Sequence, residues 1–580
     1  MSGKITKVSG PLVVAGGLIE AGISDIVRIG AQGLLGEILT MTDDSAFIQV
    51  YGETDGLGPG AEVYPTGAPL CVELGPGLLE GVFDGIQRPL TSPGIDSPGL
   101  DKTREWTFTP LLRAGAEVTG GCVIGTVVEN AAVSHKIMIP PGIDGVIESI
   151  KGGAFAVDEP VCRVKTTSGS VDVTMLQKWP VRLSRPYKRR LVPSAPLCTG
   201  LRAVDTLFPI AKGGAAAVPG PFGSGKTSLL QRLAQWSDVD IVVYIGCGAR
   251  GNEIPGLMAD LSALKDPRCG APLIKRTVFI ASTSDMPVAM HEAAIYTGAA
   301  IAEYFRDMGY NVAVLTDSTS RWAEAMREIS ASLGYPPCEQ GYPAYLASRL
   351  AQFYDRAGVF ESADGEDRLR GSLTIIGAVS PPMGDTSEPV SQATMRFVKA
   401  FLELDDSLAR SRHLPAVNWL SSYSLYADSL KPWFDSICGP GFMQNRDRAL
   451  SILGEEASLL ETAGIIGYDS LCDEDKLTLE VAKMLRENFL CQDFLDDSDD
   501  HSSYEKQCAL LELILKYRDC CFNALENGIK DVQSLFDIEA REAINRAKTV
   551  HSSEFTEKYK TIGTDMARQI SEAANGGDGL

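Results

Sequence analysis

Histidine is scarce in this chain, five in 580 residues, and the five form neither HExxH nor any other transition-metal spacing. No zinc- or iron-type centre is therefore expected. Cysteine is more frequent, with thirteen residues, but there is no CxxC pair and only Cys520 and Cys521 are adjacent. Such scatter through a long chain fits reduced thiols better than a disulfide framework, and with it a cytosolic compartment. There is no basic block to offset a formal charge of −22, so phosphate backbones are repelled and nucleic acid is excluded as a partner. Long apolar runs are missing as well. The first residues, MSGKITKVSG, lack the core of a signal peptide, and no window approaches the roughly 18 uninterrupted apolar residues that span a bilayer. Any membrane role must then run through partners.

What is present is a long chain with 44% hydrophobic residues, enough for roughly three or four domains. Residues 1–70 alternate short β-like runs with glycine turns (ITKVSGPLVVAG, DIVRIG, GLLGEILTMT, SAFIQVYG), which predicts a small β-barrel or sandwich. Residues 71–110, rich in Gly and Pro, read as a linker with little regular structure. Residues 111–185 return to short strands and predict a second β module. Lys136, in SHKIM, is not flanked like the modified lysine of a lipoyl or biotin carrier. From 190 to 434, strand-like runs (IVVYIG, VFIAS, VAVLTD, LTIIGAV) alternate with helical segments, the texture of a parallel sheet covered by helices. Residues 435–580 carry apolar residues at helical spacing, and the last stretch, EAANGGDGL, reads as frayed.

Inside the α/β region, VPGPFGSGKTSLLQRLAQW matches GxxxxGK[ST] from Gly220 to Thr227. AAAVP can end a strand before it, and SLLQRLAQW is rich in helix formers after it, so the loop falls where a strand becomes a helix. A nucleoside triphosphate needs these residue types. Gly220, Pro221, Phe222, Gly223, Ser224 and Gly225 form a loop whose backbone N–H groups can converge on phosphate oxygens, and the helix start at Lys226, Thr227 and Ser228 adds positive potential. Lys226 reaches the β- and γ-phosphates, and the Thr227 hydroxyl is placed for Mg²⁺. Some 90 residues later NVAVLTD ends a buried-type strand at Asp317, the pattern of a Walker B carboxylate on the metal side. ATP or ADP with Mg²⁺ are the expected ligands.

These motifs, with LCTGLRAVDTLFPIAKGGAAAVPGPFGSGKT, YIGCGARGNE, GSLTIIGAVSPPMGDTSEPVSQAT and HLPAVNWLSSYSLY, closely resemble the catalytic A subunit of V/A-type rotary ATPases. The resemblance covers nearly the whole chain. It implies a multidomain fold: an N-terminal β-barrel, an inserted β-rich, barrel-sandwich-like domain, a central α/β RecA-like P-loop NTPase domain and a C-terminal α-helical domain. It implies an A3B3 ring with a B subunit, central and peripheral stalk subunits, and coupling to a membrane ion channel that carries H⁺ or Na⁺. The chain would then sit in the cytoplasm, peripheral on that face of the membrane. Carried over by position, Arg250 matches an arginine that contacts the γ-phosphate, Arg321 matches a second basic residue near the site, and Phe494 falls near a segment that packs on adenine. The insertion at 111–185 argues against a secretion-type ATPase, and the acidic charge against a Rho-like helicase.

One departure stands out. The family usually reads GERGNE, and its first glutamate polarises the attacking water, whereas this chain has Ala249 there. A methyl group cannot accept a proton. Three accounts stay open: another carboxylate, Glu253 or Glu292, substitutes; positioning and electrostatics carry the reaction at a lower rate; or the subunit binds nucleotide with weak or no catalysis. Leu414 and His291 also replace residues common in the family, Phe and Arg. The acidic run Asp496 to Asp500 lacks a calcium-loop pattern and reads as a solvated loop.

Overall fold

A computed structural model describes residues 2–91, 94, 97–130, 133–362, 369–496, 498–529 and 532–575. The chain divides into two compact units: one formed by residues 1–192, 212–217 and 239–398, the other by 193–211, 218–238 and 399–580.

In the first unit, six strands close into a barrel: Gly3–Ser9, Leu12–Gly16, Asp25–Ile29, Leu34–Met41, Ser45–Val50 and Glu62–Pro69. Alternation turns Ile5, Val13, Val27, Ile29, Ile38, Ile48 and Val63 inward, where they make one buried cluster. Closure leaves no unpaired sheet edge. A second β module follows as two four-stranded sheets. One joins Glu105–Pro110, Val123–Val128, Ser134–Met138 and Gly153–Ala156. The other joins Glu117–Val118, Gly145–Ile150, Pro160–Thr166 and Gly169–Thr174.

The linker expected at 71–110 is corrected by three strands. Cys71–Leu74 pairs antiparallel with Gln177–Pro180, Val82–Phe83 pairs parallel with Thr277–Thr283, and Glu105–Pro110 belongs to the second β module. Glycine and proline keep these strands short, but their apolar residues still find distant partners.

Beyond them lies a parallel sheet in the order Arg370–Val379, Asn311–Asp317, Ile241–Ala249, Thr277–Thr283 and Val82–Phe83. Ile241 through Cys247 are all buried, as expected of a strand covered on both faces. The 20-residue helix Val288–Asp307, buried along nearly its whole length, packs on this sheet. A Cβ at Gly298 would lie 2.4 Å from Ile245, so only glycine allows this approach. The register pairs Gly246 with Asp317 and Ala249 with Thr283, which aligns the carboxyl ends of three strands.

The second unit contains the helices Lys226–Trp236, Ala427–Ile437, Phe442–Ile466, Asp473–Met484, Tyr504–Glu526, Glu539–Arg546 and Phe555–Asn575. Leu510, Leu511, Ile514 and Tyr517 fill its interior. Three expectations need correction here. Cys438 and Cys508 are joined in a disulfide, although 70 residues separate them, while the other eleven thiols are free. A pair of that separation leaves no spacing signature. The terminal stretch is helical through Asn575, and residues 576–580 lie outside the described residues. The run 496–500 is not a solvated loop. Asp499 is fully buried, with Oδ1 2.6 Å from Arg202 Nη1, and Asp500 is buried 3.2 Å from Arg232. These carboxylates enter the interior because arginines from elsewhere in the chain pair with them; Asp497 lies outside the described residues.

Candidate functional site

The phosphate-loop motif sits in the second unit between the strand Ala215–Pro219 and the helix Lys226–Trp236. Gly223 and Gly225 take φ of 84° and 88°, left-handed values that a side chain disfavours, and Gly225 is the N-cap of the helix. No atom lies within 4 Å of where a Cβ would stand at either glycine. Backbone conformation, not crowding, therefore selects glycine there. Ser224 is buried and donates its hydroxyl to Pro221 O at 2.9 Å, stiffening the turn. Lys226 folds back on the loop and donates to Gly220 O at 2.6 Å and Pro221 O at 2.8 Å. An ammonium on a helix N-terminus beside a curled backbone sets up positive potential suited to an anion, since the first N–H groups of a helix lack intrahelical acceptors. Thr227 and Ser228 are exposed on the first turn, and Phe222 is 90% exposed.

Six residues beyond Lys226 on the same helix, Arg232 reaches the loop after residue 490. It donates to Phe494 O at 2.6 Å, and its guanidinium stands 4.9 Å from the centre of the Phe494 ring. The half-buried ring is thus tethered to the helix of the phosphate loop. Sequence reasoning singled out Phe494 and missed Arg232, because nothing local ties residue 232 to residue 494.

In the first unit, Asp317 ends the strand Asn311–Asp317 beside Ile241–Ala249, and the Tyr244 hydroxyl is 3.4 Å from its Oδ2. Burial, then the Asp317 charge, holds the Tyr244 phenol well above its ordinary pKa. Ala249 ends the neighbouring strand, and its carbonyl accepts from Ser284 N at 2.9 Å. Arg250 follows with a side chain 72% exposed. Glu253 opens the helix Glu253–Ala263 and accepts from the Arg250 N–H at 3.1 Å, with Arg250 Nε 3.9 Å away. A carboxylate on the first turn of a helix is stabilised there by the dipole. Arg321, on the helix that starts after Asp317, lays its stem against Gly248, 3.0 Å from where a Cβ would be, and pairs with Glu324 at 2.8 Å. The carboxyl edge of the sheet, where open α/β sheets bind ligands, therefore gathers Ala249, Arg321 and Asp317. Glu292 is committed elsewhere: Arg182 takes both of its oxygens, at 2.9 and 2.7 Å.

The Thr227 hydroxyl in the second unit and the Asp317 carboxylate in the first are each hard oxygen donors of the kind Mg²⁺ uses. Among the described residues no group of three His, Cys, Asp or Glu could hold a metal by itself.

Four family models match the chain in succession: the ATP synthase alpha/beta family beta-barrel domain at 5–67, the alpha/beta subunit barrel-sandwich domain at 97–182, the alpha/beta family nucleotide-binding domain at 200–424, and the C-terminal domain of V and A type ATP synthase at 431–534. Among curated proteins, a V-type ATP synthase alpha chain of Thermoanaerobacter pseudethanolicus is 52% identical, covering 99% of this chain and 98% of its own. One of Acetivibrio thermocellus is 52% identical over 98% of both chains, and V-type ATP synthase alpha chain 1 of Clostridium tetani is 50% identical over 99% and 98%. The alternative of a nucleotide-binding subunit with weak or no catalysis, raised by Ala249, finds no support in these matches. With four domain models in family order and relatives matched end to end, the chain belongs to the family of V-type ATP synthase alpha chains.

Proposed function

We propose that this chain is the catalytic A subunit of a V/A-type rotary ATPase, coupling ATP synthesis or hydrolysis to H⁺ or Na⁺ translocation through other subunits. The observation that carries this reading is the glycine-bent loop with Lys226 at the start of its helix. Gly220 to Ser228 hold the phosphates, with Lys226 exchanging its loop carbonyls for phosphate oxygens. Thr227 and Asp317 are the proposed Mg²⁺ ligands, and a metal held there would supply positive charge to offset that of the phosphates. Arg250 and Arg321 neutralise the γ-phosphate, and Phe494, steadied by Arg232, packs on the base. Glu253 is bonded to its own helix start, which favours a structural role and leaves it a weaker candidate for the water. No helix among the described residues is long and apolar enough to cross a membrane, so ion passage is assigned to partners: a B subunit in an A3B3 ring, stalk subunits and a membrane sector. The chain would then act peripherally, on the cytoplasmic face.

Lys226→Ala tests the reading in the chain reconstituted with its B partner. Binding of a fluorescent ADP analogue and ATP turnover should both fall by at least about a hundredfold, as for loss of a charged group that grips the transferring phosphoryl. Unchanged binding and turnover would refute the assignment.

A further inference from the structure

We infer that a cavity inside the first unit, between the N-terminal barrel and the helices beside it, binds an uncharged, planar molecule with a lactam or carboxamide edge, gripped by Gln49. Side chains alternate along the barrel strands Leu34–Met41 and Ser45–Val50. Ile38, Ile48 and Val50 turn into the barrel, so Glu37 and Gln49, directly opposite each other in the register, face outward. Tyr51, two residues beyond Gln49, continues that face. It is not solvated: Glu37 is 2% exposed, and Gln49 and Tyr51 are 3% exposed. These residues close one side of a cavity of about 270 Å³, and Ala289, Met326, Ile329, Leu333, Tyr335 and Tyr345 supply much of the other.

Gln49 differs from its neighbours on that wall. Both Glu37 oxygens are taken by Arg182, through Nε and Nη2 at 2.8 Å each, and the Tyr51 hydroxyl donates to Oε2 at 2.6 Å. Glu292 is closed by the same arginine. The Gln49 amide has no such answer: its Nε2 and Oε1 are both buried, and neither has a hydrogen-bond partner among the described residues. A buried amide left unpaired is costly, and here donor and acceptor are orphaned together on a side chain that lines a cavity. One kind of ligand edge satisfies both, an N–H beside a C=O.

The rest of the wall selects the body of the ligand. Its charged side chains are Glu37, Glu292, Arg182 and Arg349, whose formal charges cancel, so a net charge on the occupant would go uncompensated. Tyr335, Tyr345 and the flat guanidinium of Arg349, 5.9 Å from the Tyr345 ring centre, favour an aromatic ring. The volume lies just under the lower end of ordinary small-molecule sites, about 300 Å³, which suits a bicyclic molecule. An occupant would rest on Met326 and Ile329, which belong to the helix Thr319–Ser332 that follows Asp317.

The test uses the full-length chain and saturation-transfer NMR, with isoquinolin-1-one as the probe and N-methylisoquinolin-1-one, which lacks the N–H, as its control. The probe should bind. The control on the native chain, and the probe on Gln49→Leu, should each bind at least about tenfold more weakly, the worth of a matched pair of hydrogen bonds. Ile329→Trp, which fills the cavity and leaves the amide in place, should abolish binding. The ligand-free Gln49→Leu chain should melt at the native temperature or above it, because an unpaired amide gives way to an apolar side chain of similar size. A lower melting temperature would mean that solvent already satisfies the amide, and would overturn the proposal. Equal binding of probe and control, or undiminished binding to Gln49→Leu, would overturn the role of Gln49. Tighter binding of 1-naphthoate than of the probe would overturn the uncharged class. No binding of the probe at millimolar concentration would mean that the cavity holds water only, and the site would be refuted.

Discussion

Arg202 and Asp499 offer the sharpest test of how the second unit is held together. Both side chains are fully buried, with 2.6 Å between Nη1 and Oδ1. Arg202 also donates through Nε to Phe489 O and through Nη2 to Cys491 O at 3.0 Å, so one guanidinium fastens both ends of the 489–499 loop that carries Phe494. Among the described residues, replacing Arg202 with Met leaves the buried Asp499 carboxylate the Asp493 N–H at 2.9 Å and Lys548 Nζ at 4.0 Å. An uncompensated buried charge costs about 3–5 kcal/mol. At roughly 1.4 kcal/mol per factor of ten, amides of residues 489–499 should exchange hydrogen about a hundred- to several-thousandfold faster in Arg202→Met. Asp499→Leu strands the guanidinium instead and should cost a similar amount. The double variant Arg202→Met/Asp499→Leu removes both charges and should lose less protection than either single change. Hydrogen exchange read by mass spectrometry measures all three. If the double variant loses the sum of the two single losses, the pair is not coupled and the reasoning fails.

Two further outcomes follow from packing and burial. Burial raises the Asp205 carboxyl from its ordinary 3.8 to about 7, even though Thr199, Gly200 and Gln507 donate to it. A raised carboxyl keeps its proton in the folded state where the unfolded chain has lost it. Its stabilisation is therefore complete below about pH 4 and fades as pH rises towards 7, by at most about 4 kcal/mol. Thermal unfolding of native protein and Asp205→Asn at pH 4.5 and pH 8 should show the native chain losing more stability over that interval; parallel curves would refute it. Gly298→Val places carbon into the 2.4 Å approach to Ile245 and should destabilise the first unit by about 1–3 kcal/mol, measured as a lower urea midpoint.

Much of the architecture was legible because its signals are local. Turn glycines between short β-branched runs announce the barrel, the buried run IVVYIG announces a strand covered on both faces, and GPFGSGKT announces a phosphate loop at a strand-to-helix turn. The structure agrees at each: a closed six-strand barrel, a central strand buried from Ile241 to Cys247, and a loop ending at Gly225 in the left-handed region. The strands inside 71–110 were not legible, since each is a few residues long and exists only by pairing with a partner far along the chain, such as Gln177–Pro180. The burial of Asp499 was hidden for the same reason. In the sequence it is one aspartate in an acidic run, and only Arg202, almost 300 residues away, makes it an interior residue.

For this protein, spacing and residue type alone determined the phosphate loop and the Asp317 strand end, because each depends on neighbours within a few residues. Tertiary structure alone decided which groups pair with what is buried. Arg321 lies more than 70 residues beyond Gly248 in the chain, and a parallel sheet brings its stem against that glycine. Backbone register does that work, and it is set by the burial of whole strands, a property no short stretch of sequence carries by itself.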